Sequence, residues 1–238
     1  MTRKTKHIFM LFLVWSFAQI VCAQEPTNKN WDAQKIKGVR LVPYPSYNGS
    51  PFMTDTWCQG KIKFTTGEIA DSLFMKYSSY KDELFYYNSD AASQINIDKA
   101  SLKGFQFVDP NGRTRIFRKQ YIDNFMKGYQ FFEVLSDGPI SLLAFRKSSL
   151  NTTSPYHDKS GILKNMEYVP DYHLYFYSAA KGYTSVKTNR TSFLSKFEKV
   201  HQKPIKKILR KSRIKIVNED SLIQGWKVIE KEGYQVLF

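Results

Sequence analysis

From residue 60 to about residue 188 the chain alternates short runs of β-branched and aromatic residues with Gly-, Pro- and Asp-bearing turns, a pattern that leaves few folds open other than antiparallel sheet. Residues 61–65 alternate in polarity, meet Thr66-Gly67, and are answered by residues 69–77, which reads as a hairpin with glycine in the turn. Residues 84–87 and 95–97 are shorter strand candidates. Residues 105–108 stop at Asp109-Pro110-Asn111-Gly112, where each residue type favours a turn for its own backbone reason. Ser136-Asp137-Gly138-Pro139 separates residues 129–135 from 140–145 and is the clearest hairpin signal in the chain. Residues 172–178 and 183–187 flank a further turn at 179–182. The fold class this predicts is mainly β with α. An antiparallel β-sandwich or barrel-like sheet is followed by a short helical C-terminal region. The 18 Phe and 15 Tyr fall mostly in these strands, where aromatic pairs stabilise neighbours across a ladder.

The last fifty residues change period. Ser192 is placed to cap a helix carrying Phe193, Leu194, Phe197 and Val200. Pro204 suits the start of a second helix, with Ile205, Ile208 and Leu209 on one face. Asn218 or Asp220 can cap a third, which carries Leu222, Ile223, Trp226 and Ile229 and ends at Gly233. The N-terminus is different again. Arg3, Lys4 and Lys6 precede an apolar run that closes at Val21-Cys22-Ala23, the pattern of a secretory signal peptide over residues 1–23. A Pro-, Asn- and Ser-rich extended lead-in follows over residues 24–59, then an antiparallel β domain over 60–188 and a basic helical region over 189–238.

Export bounds the function. It removes ATP-fuelled cytosolic chemistry and intracellular nucleic acid from the expected partners. As a membrane anchor the apolar run falls short of the ~20 residues a spanning helix needs, and Val21 before Cys22 makes a poor lipoprotein site. No later run approaches spanning length, so no transmembrane span is expected after signal cleavage. A transmembrane β-barrel gives only weak alternation. Phe238 at the C-terminus suits one, but the charged, helical segment before it does not. With Cys22 in the signal peptide, Cys58 stands alone, so no internal disulfide forms and a buried, inert thiol is expected.

The search for chemistry yields little that catalyses. His157-Asp158 and Asp171-Tyr172-His173 could together serve a metal or a hydrolytic base. No metalloprotease, nucleophile-elbow, paired-cysteine or phosphate-loop motif accompanies them. A loop histidine and a strand histidine sharing a face with Tyr175 and Tyr177 account for both. Asp82-Glu83 reads as a turn, and Glu219-Asp220 as a helix start where negative charge offsets the dipole. Trp31, Trp57, Tyr44, Tyr47, Tyr80, Tyr86 and Tyr87 offer rings for sugar stacking, though core packing explains most of them. No catalytic residue, metal ligand or cofactor site is predicted.

Charge carries the one binding prediction. The formal net charge is +15, and residues 196–215 hold nine Lys/Arg against Glu198 alone. On the second helix Lys206, Lys207, Arg210 and Lys211 surround the face away from Ile205, Ile208 and Leu209. These four are the predicted binding residues for an anionic surface. The competing reading is a merely solvated helix face.

Two stretches carry a resemblance. Residues 57–87, WCQGKIKFTTGEIADSLFMKYSSYKDELFYY, and residues 131–143, FFEVLSDGPISLL, resemble a recurrent pattern in uncharacterised exported β-rich proteins of Bacteroidota bacteria. In those proteins a helical, Lys-rich C-terminus often closes the chain, as here. The resemblance implies a β-rich fold and a Gram-negative envelope location: periplasm, outer-membrane periphery or extracellular space. It supplies no catalytic residue. The expected function is a non-catalytic exported cell-envelope protein with a binding or structural-interaction role. Its expected partner is an anionic envelope surface or another envelope protein, and the alternative is a secreted hydrolase acting on a glycan or ester.

Overall fold

Alternating, turn-punctuated strands fold here into one large sheet. The computed structural model describes residues 36–238 apart from 46, 90, 91, 124–126 and 162. The predicted signal peptide, Trp31 and the start of the lead-in lie outside the described residues. Eleven strands follow in chain order: β1 (Gly38–Arg40), β2 (Cys58–Phe64), β3 (Ile69–Ser78), β4 (Glu83–Asn88), β5 (Ser93–Ile97), β6 (Leu102–Val108), β7 (Thr114–Ile122), β8 (Gly128–Ser136), β9 (Ser141–His157), β10 (Leu163–Ser178) and β11 (Gly182–Val186). Three helices close the chain: α1 (Arg190–Leu194), α2 (Lys199–Lys211) and α3 (Glu219–Lys231). The sheet order is β1-β5-β4-β3-β2-β6-β7-β8-β9-β10-β11. Two antiparallel meanders, β2 to β5 and β6 to β11, are therefore joined edge to edge where β2 pairs with β6. The protein is mainly β with a helical C-terminal region. Its strands form a single sheet rather than the two of a sandwich.

The sheet curls strongly. Five strand spacings separate β3 from β9, which is ~24 Å in a flat sheet. Yet the Ser148 N–H on β9 donates to the Ser79 carbonyl just after β3 at 3.0 Å, and the two hydroxyls meet at 2.7 Å. The turn between β3 and β4 thus fills the fork where β8 and β9 diverge. Asp82 in that turn accepts from the Phe131 N–H on the open edge of β8.

Register carries one side-chain row across seven strands: Ile62, Phe105, Phe117, Glu133, Ala144, Leu174 and Val186. On one side of Glu133 the row belongs to an aromatic cluster that includes Tyr77, Phe105, Phe107, Phe117 and Phe131. On the other side Leu142, Ala144, Leu174 and Phe176 pack under the helices, against Phe193, Phe197, Leu209 and Trp226. Phe176 and Trp226 pack with ring centroids 4.8 Å apart and their planes inclined at 58°. Fully burying each such side chain contributes about 1.5–3 kcal/mol. A third cluster, Ile122, Phe132, Leu143, Phe145 and Tyr175, occupies the opposite face of the later strands.

Several elements depart from the expectation drawn from sequence. Strand β7 joins the sheet although no strand was expected after the 109–112 turn. Its cations Arg115, Arg118 and Lys119 obscure the alternation, and carboxylates neutralise the first two. The first helix is capped by Asn189, whose side chain accepts from the Ser192 N–H at 2.8 Å. Val200 is not on that helix but on α2, and is 69% exposed. Helix α2 begins at Lys199, so Pro204 lies inside it and the Val200 carbonyl loses its usual donor. The third helix is capped by Asn218 in a reciprocal box with Ser221.

Candidate functional site

The four predicted binding residues lie together. Ile205 and Leu209 of α2 are buried against the helical cluster, whereas Lys206, Lys207, Arg210 and Lys211 on the other side are all exposed. Among the described residues no carboxylate forms an ion pair with any of the four. The amphipathic spacing that docks the helix therefore also sets its charge outward.

The structure adds Arg190, which the sequence did not single out, and brings in Arg213 and Lys215, which the sequence counted in the basic run without placing them on the binding face. Lys206 and Arg210 line a depression of about 220 Å³ together with Arg190 from α1 and with Arg213 and Lys215 from the segment after α2. Leu209 and Ile214 complete its lining, and no acidic residue does. Lys207 and Lys211 lie outside it.

The end of α2 holds these groups in place. The Ile214 N–H donates to the Leu209 carbonyl at 2.9 Å and the Arg213 N–H to the Arg210 carbonyl at 3.0 Å, a complete Schellman closure. That closure needs a left-handed residue, and here it is Arg213, at φ 57°. Helix α3 ends in the same way, with Tyr234 N–H to Ile229 and Gly233 N–H to Glu230, and places glycine at the corresponding position, φ 80°. An L-residue with a Cβ costs roughly 1–2 kcal/mol in this region. Two identical helix ends in one molecule thus differ in one choice, and the strained one puts a guanidinium in the basic depression.

A second group of charges lies at the boundary between the two clusters on the shared sheet face. Glu133, 1% exposed, accepts from Arg115 Nη1 at 3.0 Å and from Arg146 Nε at 2.6 Å. Arg115 also donates to Asp109 at 2.8 Å, and Arg146 reaches Glu219 at the first turn of α3 at 2.8 Å. Burial pushes the Asp109 carboxyl up, but the Arg115 guanidinium and the backbone N–H groups of Arg113 and Asn111 outweigh it and hold it below the usual carboxylate range. Burial raises the Asp82 carboxyl against the pull of the neighbouring Lys99 ammonium. A cleft of about 520 Å³ opens over Arg115, Arg146, Tyr168 and Tyr172. Its two arginines already hold carboxylates on both sides, so they bind the fold together and offer little to a free anion.

The histidines do not converge. His157 ends β9 opposite Leu163, and its Nδ1 lies 3.0 Å from the Gly161 carbonyl. His173 pairs opposite Phe145, ten residues along β10 from Leu163, which is roughly 33 Å of strand. Its Nε2 lies 3.6 Å from Asp171, on the exposed side of the hairpin. Cys58 is buried, and its thiol faces Thr54 Oγ1 at 3.6 Å. Of the rings considered for sugar stacking, Tyr44 packs edge-on against Phe52, Tyr80 and Phe85, and Trp57 makes a tilted contact with Tyr87. No protein-family model matches the sequence, no curated protein matches it, and no solved structure matches the chain.

Proposed function

We propose that this is a non-catalytic, exported binding protein of the cell envelope that docks on anionic surfaces through the outer face of α2. The observation that carries the reading is the exposed set Lys206, Lys207, Arg210 and Lys211, without a carboxylate partner among the described residues. The signal-peptide pattern at residues 1–23 supports export, and the resemblance of residues 57–87 and 131–143 supports a Gram-negative envelope. Each lysine or arginine near an anionic membrane contributes about 1 kcal/mol, screened over a Debye length of ~8 Å at physiological salt. Four such charges give vesicle binding in low salt that fades as salt rises. Co-sedimentation with phosphatidylglycerol-containing vesicles should show this for the wild type. It should be nearly lost when all four residues are changed to Gln. Equal sedimentation of the two proteins, or binding indifferent to salt, would reduce the face to ordinary solvated charge.

A further inference from the structure

We infer that the depression formed by Arg190, Lys206, Arg210, Arg213 and Lys215 is a site for a single terminal phosphate, a phosphomonoester group. The inference rests on the anionic-surface reading above and sharpens it from a diffuse field to a built pocket. Three chain segments converge on it: the first turn of α1, the outer face of α2 and the segment after its C-terminus. Five cations and no acid line about 220 Å³. Leu209 and Ile214, joined by the long bond of the Schellman closure and packed into the helical cluster, supply the depression's apolar lining. Arg213 occupies a left-handed position where α3 uses Gly233, so the chain keeps an arginine against a conformational preference that it satisfies elsewhere.

The ligand class follows from the donors. Three of the five cations are arginines, whose planar forks engage pairs of oxygens, while the lysines act as point charges. A phosphomonoester presents three free oxygens and approaches two negative charges near neutral pH. A phosphodiester presents two oxygens and one charge, and fills such a set of donors less well. Lipid-borne and free phosphate share this chemistry, and the experiment separates them.

The test uses the full chain without its signal peptide and two vesicle types matched in surface charge. One contains phosphatidylglycerol, a diester, and the other phosphatidic acid, a monoester. Arg213→Gly, Arg190→Gln and Lys211→Gln each remove one charge, but Lys211 lies outside the depression. A diffuse field predicts the same loss for all three, about five-fold per charge. The pocket predicts that Arg213→Gly and Arg190→Gln each lose at least a further ten-fold on phosphatidic acid vesicles relative to Lys211→Gln. It predicts no such excess on phosphatidylglycerol. Arg213→Gly should also keep or raise the melting temperature, by roughly 1–4 °C, because glycine relieves the left-handed strain. Weaker binding in a protein at least as stable is a result that misfolding cannot produce. Displacement from vesicles by millimolar inorganic phosphate assigns the site to the free anion, and retention assigns it to the lipid-borne group. Equal losses for the three variants on both vesicle types would overturn the pocket and leave surface docking standing. Absence of vesicle binding by the wild type, together with no displaceable phosphate, would overturn both.

Discussion

Replacing Glu133 by alanine removes an anion that two arginines share, and the consequences can be worked from the geometry. Glu133 accepts from Arg115 at 3.0 and 3.3 Å and from Arg146 at 2.6 Å. The arginine side chains are only 19% and 13% exposed, so water replaces little of what is lost. Removing one partner of a buried pair costs about 3–5 kcal/mol, most of it from the charge left behind. Here each arginine keeps one carboxylate, Asp109 or Glu219, which places the expected loss near the lower end, about 3–4 kcal/mol. At roughly 2–4 °C per kcal/mol for a chain of this size, the melting temperature should fall by roughly 6–16 °C. Thermal unfolding reads that shift and urea unfolding the free-energy loss, both followed by tryptophan fluorescence, to which Trp226, 1% exposed, contributes. Glu133→Gln, which keeps an acceptor but turns an amide donor toward one arginine, should fall between wild type and Glu133→Ala. Because Arg146 carries the chain of charges on to α3, the helical region should also loosen before the sheet, separating the fluorescence transition from the far-ultraviolet one. A loss under about 1 kcal/mol with coincident transitions would refute the claim that this seam fastens helix to sheet.

Two other perturbations bear on the same frame. The Asp109 carboxyl is held low, so its contribution to stability is present above the ordinary carboxylate pKa and is lost as pH falls through the depressed value. The Asp82 carboxyl is raised, so its contribution is present below the ordinary value and is lost as pH rises through the raised one. Urea unfolding between about pH 3 and 7 should therefore show a shallower acid loss for Asp109→Asn and a steeper one for Asp82→Asn than for wild type; the same slope in all three would contradict both assignments. Gly60→Ala tests the joint between the two meanders: a Cβ there would sit 2.1 Å from the Gln106 carbonyl oxygen and 2.8 Å from Phe107 Cα. A loss of about 1–3 kcal/mol is expected, and an unchanged urea midpoint would argue against the β2–β6 register.

The parts of this fold that were legible in the sequence are those whose signal is local. Ser136-Asp137-Gly138-Pro139 marks the β8–β9 turn because the turn's chemistry resides in its own residues. Asn218 and the apolar positions 222, 223, 226 and 229 mark α3 for the same reason. Strand β7 is hidden because its arginines look solvated until Glu133 on β8 and the turn residues Asp109 and Asp137 are brought to them. The long β9–β10 hairpin ran past expectation because residues 149–157 are polar, and cross-strand pairing rather than burial extends them. At the candidate site the four exposed cations of α2 were readable from helical spacing alone. Arg190 was not, being sixteen residues before Lys206 on another helix. Arg213 was not, because nothing in the sequence marks an arginine as left-handed.

The way α2 is fastened bears on what its charges can do. A flexible polybasic tail binds an anionic surface through charge number, and the order of its residues matters little. Here Ile205 and Leu209 anchor one side of the helix in the core, Arg146 ties the first turn of α3 to the sheet through Glu219, and α2 packs beside α3. The Leu237 N–H donates to the Lys196 carbonyl at 2.8 Å, so the chain's end is tied back to the segment leading into α2. Each cation around the depression therefore projects from fixed backbone, so folding has met the backbone part of the entropy of converging them and leaves only their side-chain rotamers to be ordered by a ligand. Pre-organisation of this kind gains nothing for a diffuse field. It gains affinity only when several donors meet one compact anion, and that is why the strained Arg213, rather than the total charge of the region, is the residue that separates recognition from adhesion.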